Sequence, residues 1–163
     1  MAVKAGSRNV FAPTIRPTRI RLVLDGAPGI EVVGEAGTEE RAVVLAWAHQ
    51  PDVVVVDVLM AGKGGIALIP DLLEVSPESR VLMLTSNAEP GTVEKALEWG
   101  ATGYSLKRAT DTDLIAAVQT VAAGSSYVHP DSVPLWRPVA RRPLARSLRA
   151  SSCASRGVGS RTS

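Results

Sequence analysis

The chain reads as an α/β protein built on a doubly wound parallel sheet, and three observations carry that reading. Residues 53–56, 81–84 and 102–106 are short runs, mostly aliphatic or β-branched, with the look of strands buried on both faces. Segments of helical period with recognisable start and stop signals separate them. Each run also gives way to a polar side chain: Asp57, Thr85 and Lys107. In an open parallel sheet, ligands bind outside the carboxyl ends of the strands. A carboxylate, a hydroxyl and an ammonium at three such ends converge on one rim, and together they suit phosphoryl transfer.

Taken in order, residues 19–24 come first. Ile20, Leu22 and Leu24 alternate as in a strand, but only residues 25–29 precede the next strand, and a parallel crossover needs about ten residues or more. Ile20, Val23 and Leu24 also share one helical face, so the stretch reads as the last turns of a helix stopped at Asp25 and Gly26. No convincing strand precedes it, and Asn9-Val10-Phe11-Ala12 is a poor candidate. Residues 30–34 form the next strand. Thr38 then caps a helix running to about Gln50, with Glu39 and Glu40 suited to its first turn. Residues 64–75 make a weaker helix, which Pro70 kinks or delays. A strand at 80–84 leads to a helix at 91–99 closed by Gly100, and Thr110 caps a last helix through Ala123, closed by Gly124. Leu114, Ile115, Val118, Val121 and Ala122 form the apolar stripe of that helix.

Charge divides the chain more sharply than its net +2 suggests. Residues 22–132 hold all sixteen acids against six bases, whereas the two ends carry the other twelve Lys and Arg and no acid. Residues 1–18 read as an atypical basic segment, 19–132 as the folded domain, and 133–163 as a basic tail without the periodicity of a folded unit. The single Cys153 excludes an internal disulfide and fits a reducing cytoplasm. The longest apolar stretch, 42–48, is far short of a membrane span. His49 and His129 stand apart from any Cys or acidic ligand pattern. Gly62, Gly64 and Gly65 lack the Lys-Ser/Thr that would complete a phosphate-binding loop.

Several ordered motifs resemble the receiver domain of bacterial two-component response regulators, especially the NarL/FixJ subfamily. Residues 51–60 resemble its phospho-acceptor strand, 81–86 its conserved-Thr strand, and 100–107 its strand of switch aromatic and Lys. Residues 30–36 and 114–124 also resemble this subfamily. The resemblance implies a flavodoxin-like receiver fold with Asp57 as phospho-acceptor, Thr85 and Lys107 as its catalytic companions, and Tyr104 as a switch. It implies Mg²⁺ held in part by Asp57 and the backbone carbonyl of Leu59. It also implies a sensor histidine kinase as partner, a possible homodimer, and work in the cytoplasm as a signalling module, not an enzyme.

Departures from the pattern carry their own expectations. The family's first strand ends in paired acids that bind the metal, and neither strand nor acids are found here; Asp25 and Glu35 are the nearest substitutes. The fold is expected to lack that central strand and therefore to be marginally stable or dependent on a partner. The family's usual Met-Pro-Gly-Met-Asp-Gly is replaced by residues 60–65, whose lost Pro and Asp loosen the loop beside the acceptor. No helix-turn-helix follows Pro130, which makes nucleic acid an unexpected partner. Two alternatives stand beside the phosphorelay reading: a degenerate, phosphorylation-independent interaction module, and a gene remnant with frame-shifted or truncated ends.

Overall fold

Four consecutive valines mark the centre of the molecule. In the computed structural model Val53, Val54, Val55 and Val56 are all buried, as a strand covered on both faces requires. The structure describes residues 8–12, 19–87 and 89–135. Along the chain these form β1 (Arg8–Ala12), α1 (Arg19–Asp25), β2 (Ile30–Glu35), α2 (Glu39–His49), β3 (Val53–Asp57), α3 (Ile69–Val75), β4 (Arg80–Thr85), α4 (Pro90–Glu98), β5 (Gly103–Leu106), α5 (Asp111–Ala122) and β6 (Tyr127–Val128). A short 3₁₀ helix, Pro130–Leu135, follows and packs against α4. The strands make one sheet in the order β2-β1-β3-β4-β5-β6, parallel throughout. Helix α1 packs with α5, and α2 with α3, as expected of a doubly wound sheet.

The expectation of a missing first strand is corrected. Arg8–Ala12 lies between β2 and β3, where Val10 pairs with Val32 on one side and Val53 on the other. Without it, two parallel strands would face each other with empty ladders, and each buried amide left unpaired costs about 1–3 kcal/mol. The sheet therefore takes in part of the segment 1–18 that was expected to lie outside the domain. The reason given for a marginal fold goes with it. From Trp136 onward, the expected basic tail lies outside the described residues.

Elsewhere local chemistry decides the boundaries. Helix α1 buries Leu24 completely, in line with the helical reading of 19–24. Pro70 delays α3 instead of kinking it: it occupies the first turn, where its missing amide would have had no helical partner. Helix α5 opens on a reciprocal capping box, the Thr110 side chain accepting from the Asp113 N–H while the Asp113 carboxylate accepts from the Thr110 N–H. Strand β6 was not expected; it extends the sheet past β5 by pairing Gly103 with Tyr127 and Tyr104 with Val128. Ile69, Leu72, Leu82, Met83, Val118 and Val121 are among the side chains that fill the core against the sheet. No helix among the described residues is long and apolar enough to cross a membrane.

Candidate functional site

The register of the three central strands builds the rim. Asp57 of β3 pairs with Leu84, and Thr85 of β4 with Leu106. The ladder continues one step past each strand: the Val58 N–H donates to the Leu84 carbonyl at 2.8 Å, and the Lys107 N–H to the Thr85 carbonyl at 2.7 Å. With neighbouring strands about 4.8 Å apart, the ends of β3, β4 and β5 occupy one small patch.

Two of the three predicted side chains meet there directly. The Lys107 ammonium donates to Asp57 Oδ2, and the two side chains are 32% and 26% exposed, partly shielded yet open to an incoming ligand. The Leu59 N–H donates to Asp57 Oδ1 at 2.9 Å. Both oxygens of the Asp57 carboxylate are thus oriented, one by a cation and one by a backbone amide. Thr85 is buried at the same rim, but its hydroxyl closes its own turn, donating to the Asn87 carbonyl at 2.8 Å and accepting from the Asn87 N–H at 3.3 Å. Tyr104 on β5 is completely buried. Its hydroxyl has no hydrogen-bond partner of good geometry among the described residues. Burial raises the Tyr104 pKa, the nearby Thr85 hydroxyl partly offsets this, and Glu89 adds to the rise.

The loop after β3 folds back tightly on the end of that strand. A Cβ on Gly65 would lie 1.9 Å from the Asp57 carbonyl oxygen, so the return path admits only glycine without a backbone shift. The Gly65 N–H donates to the Val58 carbonyl and the Met60 N–H to that of Asp57. Residues 60–65 were expected to be loose for want of Pro and Asp. Here instead Glu39, at the start of α2, accepts from the Gly64 N–H at 3.1 Å. Gly62, at φ 106°, lies against the same carboxylate, and a Cβ there would stand 2.6 Å from Glu39 Oε1. Sequence reasoning missed this contact, because an acid in a first helical turn already has an ordinary explanation.

The proposed substitutes for the missing acidic pair are engaged elsewhere. Glu35 is ion-paired with Arg21 at 3.0 Å, and Asp25 with the same Arg21 at 3.1 Å while it also accepts from the Val32 N–H. Glu35 first and Asp25 second hold the Arg21 pKa above its ordinary range. No group of three His, Cys, Asp or Glu side chains among the described residues is placed to hold a metal. Residues 13–18, which follow β1, contain no acid in the sequence. Mg²⁺ requires near-octahedral oxygen ligation, usually through one or two carboxylates. Asp57, already ion-paired, and the Leu59 carbonyl on an exposed loop residue do not fit that requirement.

A parallel sheet whose adjacent strand ends offer a carboxylate, a buried hydroxyl and an ammonium has the layout of a phosphoryl-signalling receiver. The family model described as the response regulator receiver domain matches residues 14–119. The chain belongs to the response regulator receiver family. It is 35% identical over 111 residues to the transcriptional regulatory protein DegU of Brevibacillus brevis, covering 68% of this chain and 47% of that one. With the nitrate/nitrite response regulator protein NarL of Escherichia coli it shares 33% identity over 138 residues, 85% of this chain and 60% of the other. The chain spans about half the length of the curated relatives it matches. Among solved structures, a LuxR-family two-component response regulator from Aurantimonas sp. SI85-9A1 superposes with a TM-score of 0.73 at 27% identity, covering 78% of this chain and 94% of that one. The signal receiver domain of NarL from Mycobacterium tuberculosis gives 0.67 at 32% identity, covering 72% and 98%. Receiver domains are typically signalling modules of two-component phosphorelays; they generally bind Mg²⁺ and interact with histidine kinases.

Proposed function

We propose that Asp57 accepts a phosphoryl group from the phosphohistidine of a sensor histidine kinase, in the cytoplasm, and that the modified rim changes how the face around β5 and α4 meets a partner. The observation that carries this reading is the Asp57–Lys107 ion pair at the same strand rim as Thr85. An Asp57 carboxylate oxygen attacks phosphorus, the P–N bond breaks, and the imidazole leaves with its electron pair. Little covalent chemistry is asked of the protein, so positioning and charge neutralisation dominate. Lys107 transfers its ion pair from the carboxylate to the phosphoryl oxygens. Thr85 gives up the Asn87 carbonyl and donates to one of them, which loosens the turn beside α4. Tyr104, already inward, fills the space behind Thr85 and stabilises the switched arrangement.

Acetyl phosphate, with and without Mg²⁺, followed by intact mass tests the proposal. The wild type is expected to gain one phosphoryl group. Asp57→Asn should gain none, and Lys107→Ala should react about a hundredfold more slowly, the scale of losing one charge-stabilising donor. A wild type that stays unmodified at every metal concentration overturns the reading.

A second reading has its own support: Tyr104 is already completely buried, and no group of three His, Cys, Asp or Glu side chains among the described residues is placed to hold a metal. Both features suit a module held in one binding-competent state without phosphorylation. An unmodified wild type whose partner binding survives Asp57→Asn would favour it.

A further inference from the structure

Glu39 is used by neither reading, yet its half-buried carboxylate reaches the acceptor loop. It lies one helix away from β3 in sequence but accepts from the Gly64 N–H at 3.1 Å and packs on the backbone of Gly62. Its neighbour Glu40 instead bonds within its own helix end, where its own backbone N–H first and the Thr38 side chain second hold its carboxyl below the usual range. The loop so tied is the one whose amides order the acceptor. Gly65 is bonded to Val58, and the adjoining Leu59 N–H holds Asp57 Oδ1.

We infer that Glu39 is a positioning residue: through Gly64 and the turn 58–65 it fixes the Leu59 amide, and with it the orientation of the Asp57 carboxylate. This deepens the phospho-acceptor reading and rests on it. Three features support it. The contact is made by a side chain to a backbone amide, so it persists whatever the loop side chains are. Gly62 has no Cβ, and any other residue would push against the carboxylate as well as strain a positive φ. The Pro and Asp that would stiffen this turn in the family pattern are Ala61 and Gly64 here, so the loop has few internal restraints. An acid reaching across from α2 supplies an external one.

The competing explanation is that Glu39 only complements the α2 dipole. Four variants separate the two. Glu39→Gln keeps an oxygen acceptor for Gly64 but loses the charge. Glu39→Ala loses both, and Glu40→Ala removes a first-turn charge without touching the loop. Amide hydrogen exchange in the full chain and the rate of phosphoryl uptake from acetyl phosphate are the two readouts. In Glu39→Ala the Gly64 and Leu59 amides should exchange about tenfold faster while those of β4 keep wild-type protection, a local opening and not unfolding. Phosphoryl uptake should slow by about tenfold, as misplacement of a reacting group does. Glu39→Gln should restore both to within about twofold, and Glu40→Ala should leave both unchanged. Gly62→Ala, which retains the acid and displaces it, should behave like Glu39→Ala. Wild-type exchange at Leu59 in Glu39→Ala, or a Gln variant no better than Ala, overturns the inference. A wild type that takes up no phosphoryl group removes the functional reading, while the exchange data still decide whether the clasp exists.

Discussion

At the scale of single residues, the site is an arrangement of donors around one carboxylate. Asp57 has Lys107 on one oxygen and the Leu59 amide on the other, and Thr85 waits one strand away with its hydroxyl parked on Asn87. All three predicted positions were legible because a polar residue ending a buried apolar run has few other places to go. The direction of the Thr85 hydroxyl was not legible, since a strand-end Thr serves its own turn as readily as a ligand. Nor was the Glu39 contact, which joins residues 25 apart through a backbone amide that no side-chain pattern reports. Tyr104 yields a prediction that runs against the usual cost of truncating a buried side chain. Its hydroxyl is buried with only the nearby Thr85 hydroxyl, at poor geometry, to satisfy it among the described residues, so Tyr104→Phe removes a poorly satisfied polar group and leaves the ring packing intact. Stability should be unchanged or rise by about 1–2 kcal/mol, read from denaturant midpoints. A loss of more than about 1 kcal/mol would mean that the hydroxyl has a partner in solution.

At the scale of elements, the sheet depends on a strand that hardly announces itself. The pattern of β2, β3, β4 and β5 was legible in their aliphatic runs. Strand β1 was not: Arg8-Asn9-Val10-Phe11-Ala12 is short, half polar and bordered by Pro13, and it lacks the acidic ending that marks its counterpart in the family. Its place is dictated by the ladders of its two neighbours. Two-residue β6 is below the length at which alternation means anything. Pro70 was legible as a disturbance of the helix read at 64–75, but proline chemistry alone left a kink and a delayed start both open, and α3 begins only at Ile69. Because Val10 pairs on both sides, Val10→Pro should break a central ladder and cost about 2 kcal/mol or more, lowering the unfolding midpoint accordingly. A variant as stable as the wild type would show that Arg8–Ala12 does not occupy the centre of the sheet.

For the molecule as a whole, charge and titration set the window in which the fold is stable. The acidic centre and basic ends were plain from composition, but which acids are tied down was not. Asp113 is held below the usual carboxyl range by the Thr110 side chain and then the Thr110 backbone, and Glu40 by its own N–H and then Thr38. Their contribution is complete above the unfolded carboxyl pKa and is lost as pH falls through the lower folded values, so stability should decline below about pH 4. Tyr104 and Tyr127 have pKa values raised chiefly by burial. Their contribution is complete below the unfolded phenol value and is lost as pH rises above about 10. Thermal unfolding followed across pH should show a plateau between these limits, and a maximum outside it would contradict the assignment. The proposed chemistry depends on an Asp57 carboxylate oxygen taking up the phosphoryl group, which borohydride reduction can locate. An aspartyl phosphate is reduced to homoserine, so peptide sequencing after acetyl phosphate treatment should find homoserine at position 57. Intact aspartate there, or homoserine at any other acid, would contradict it.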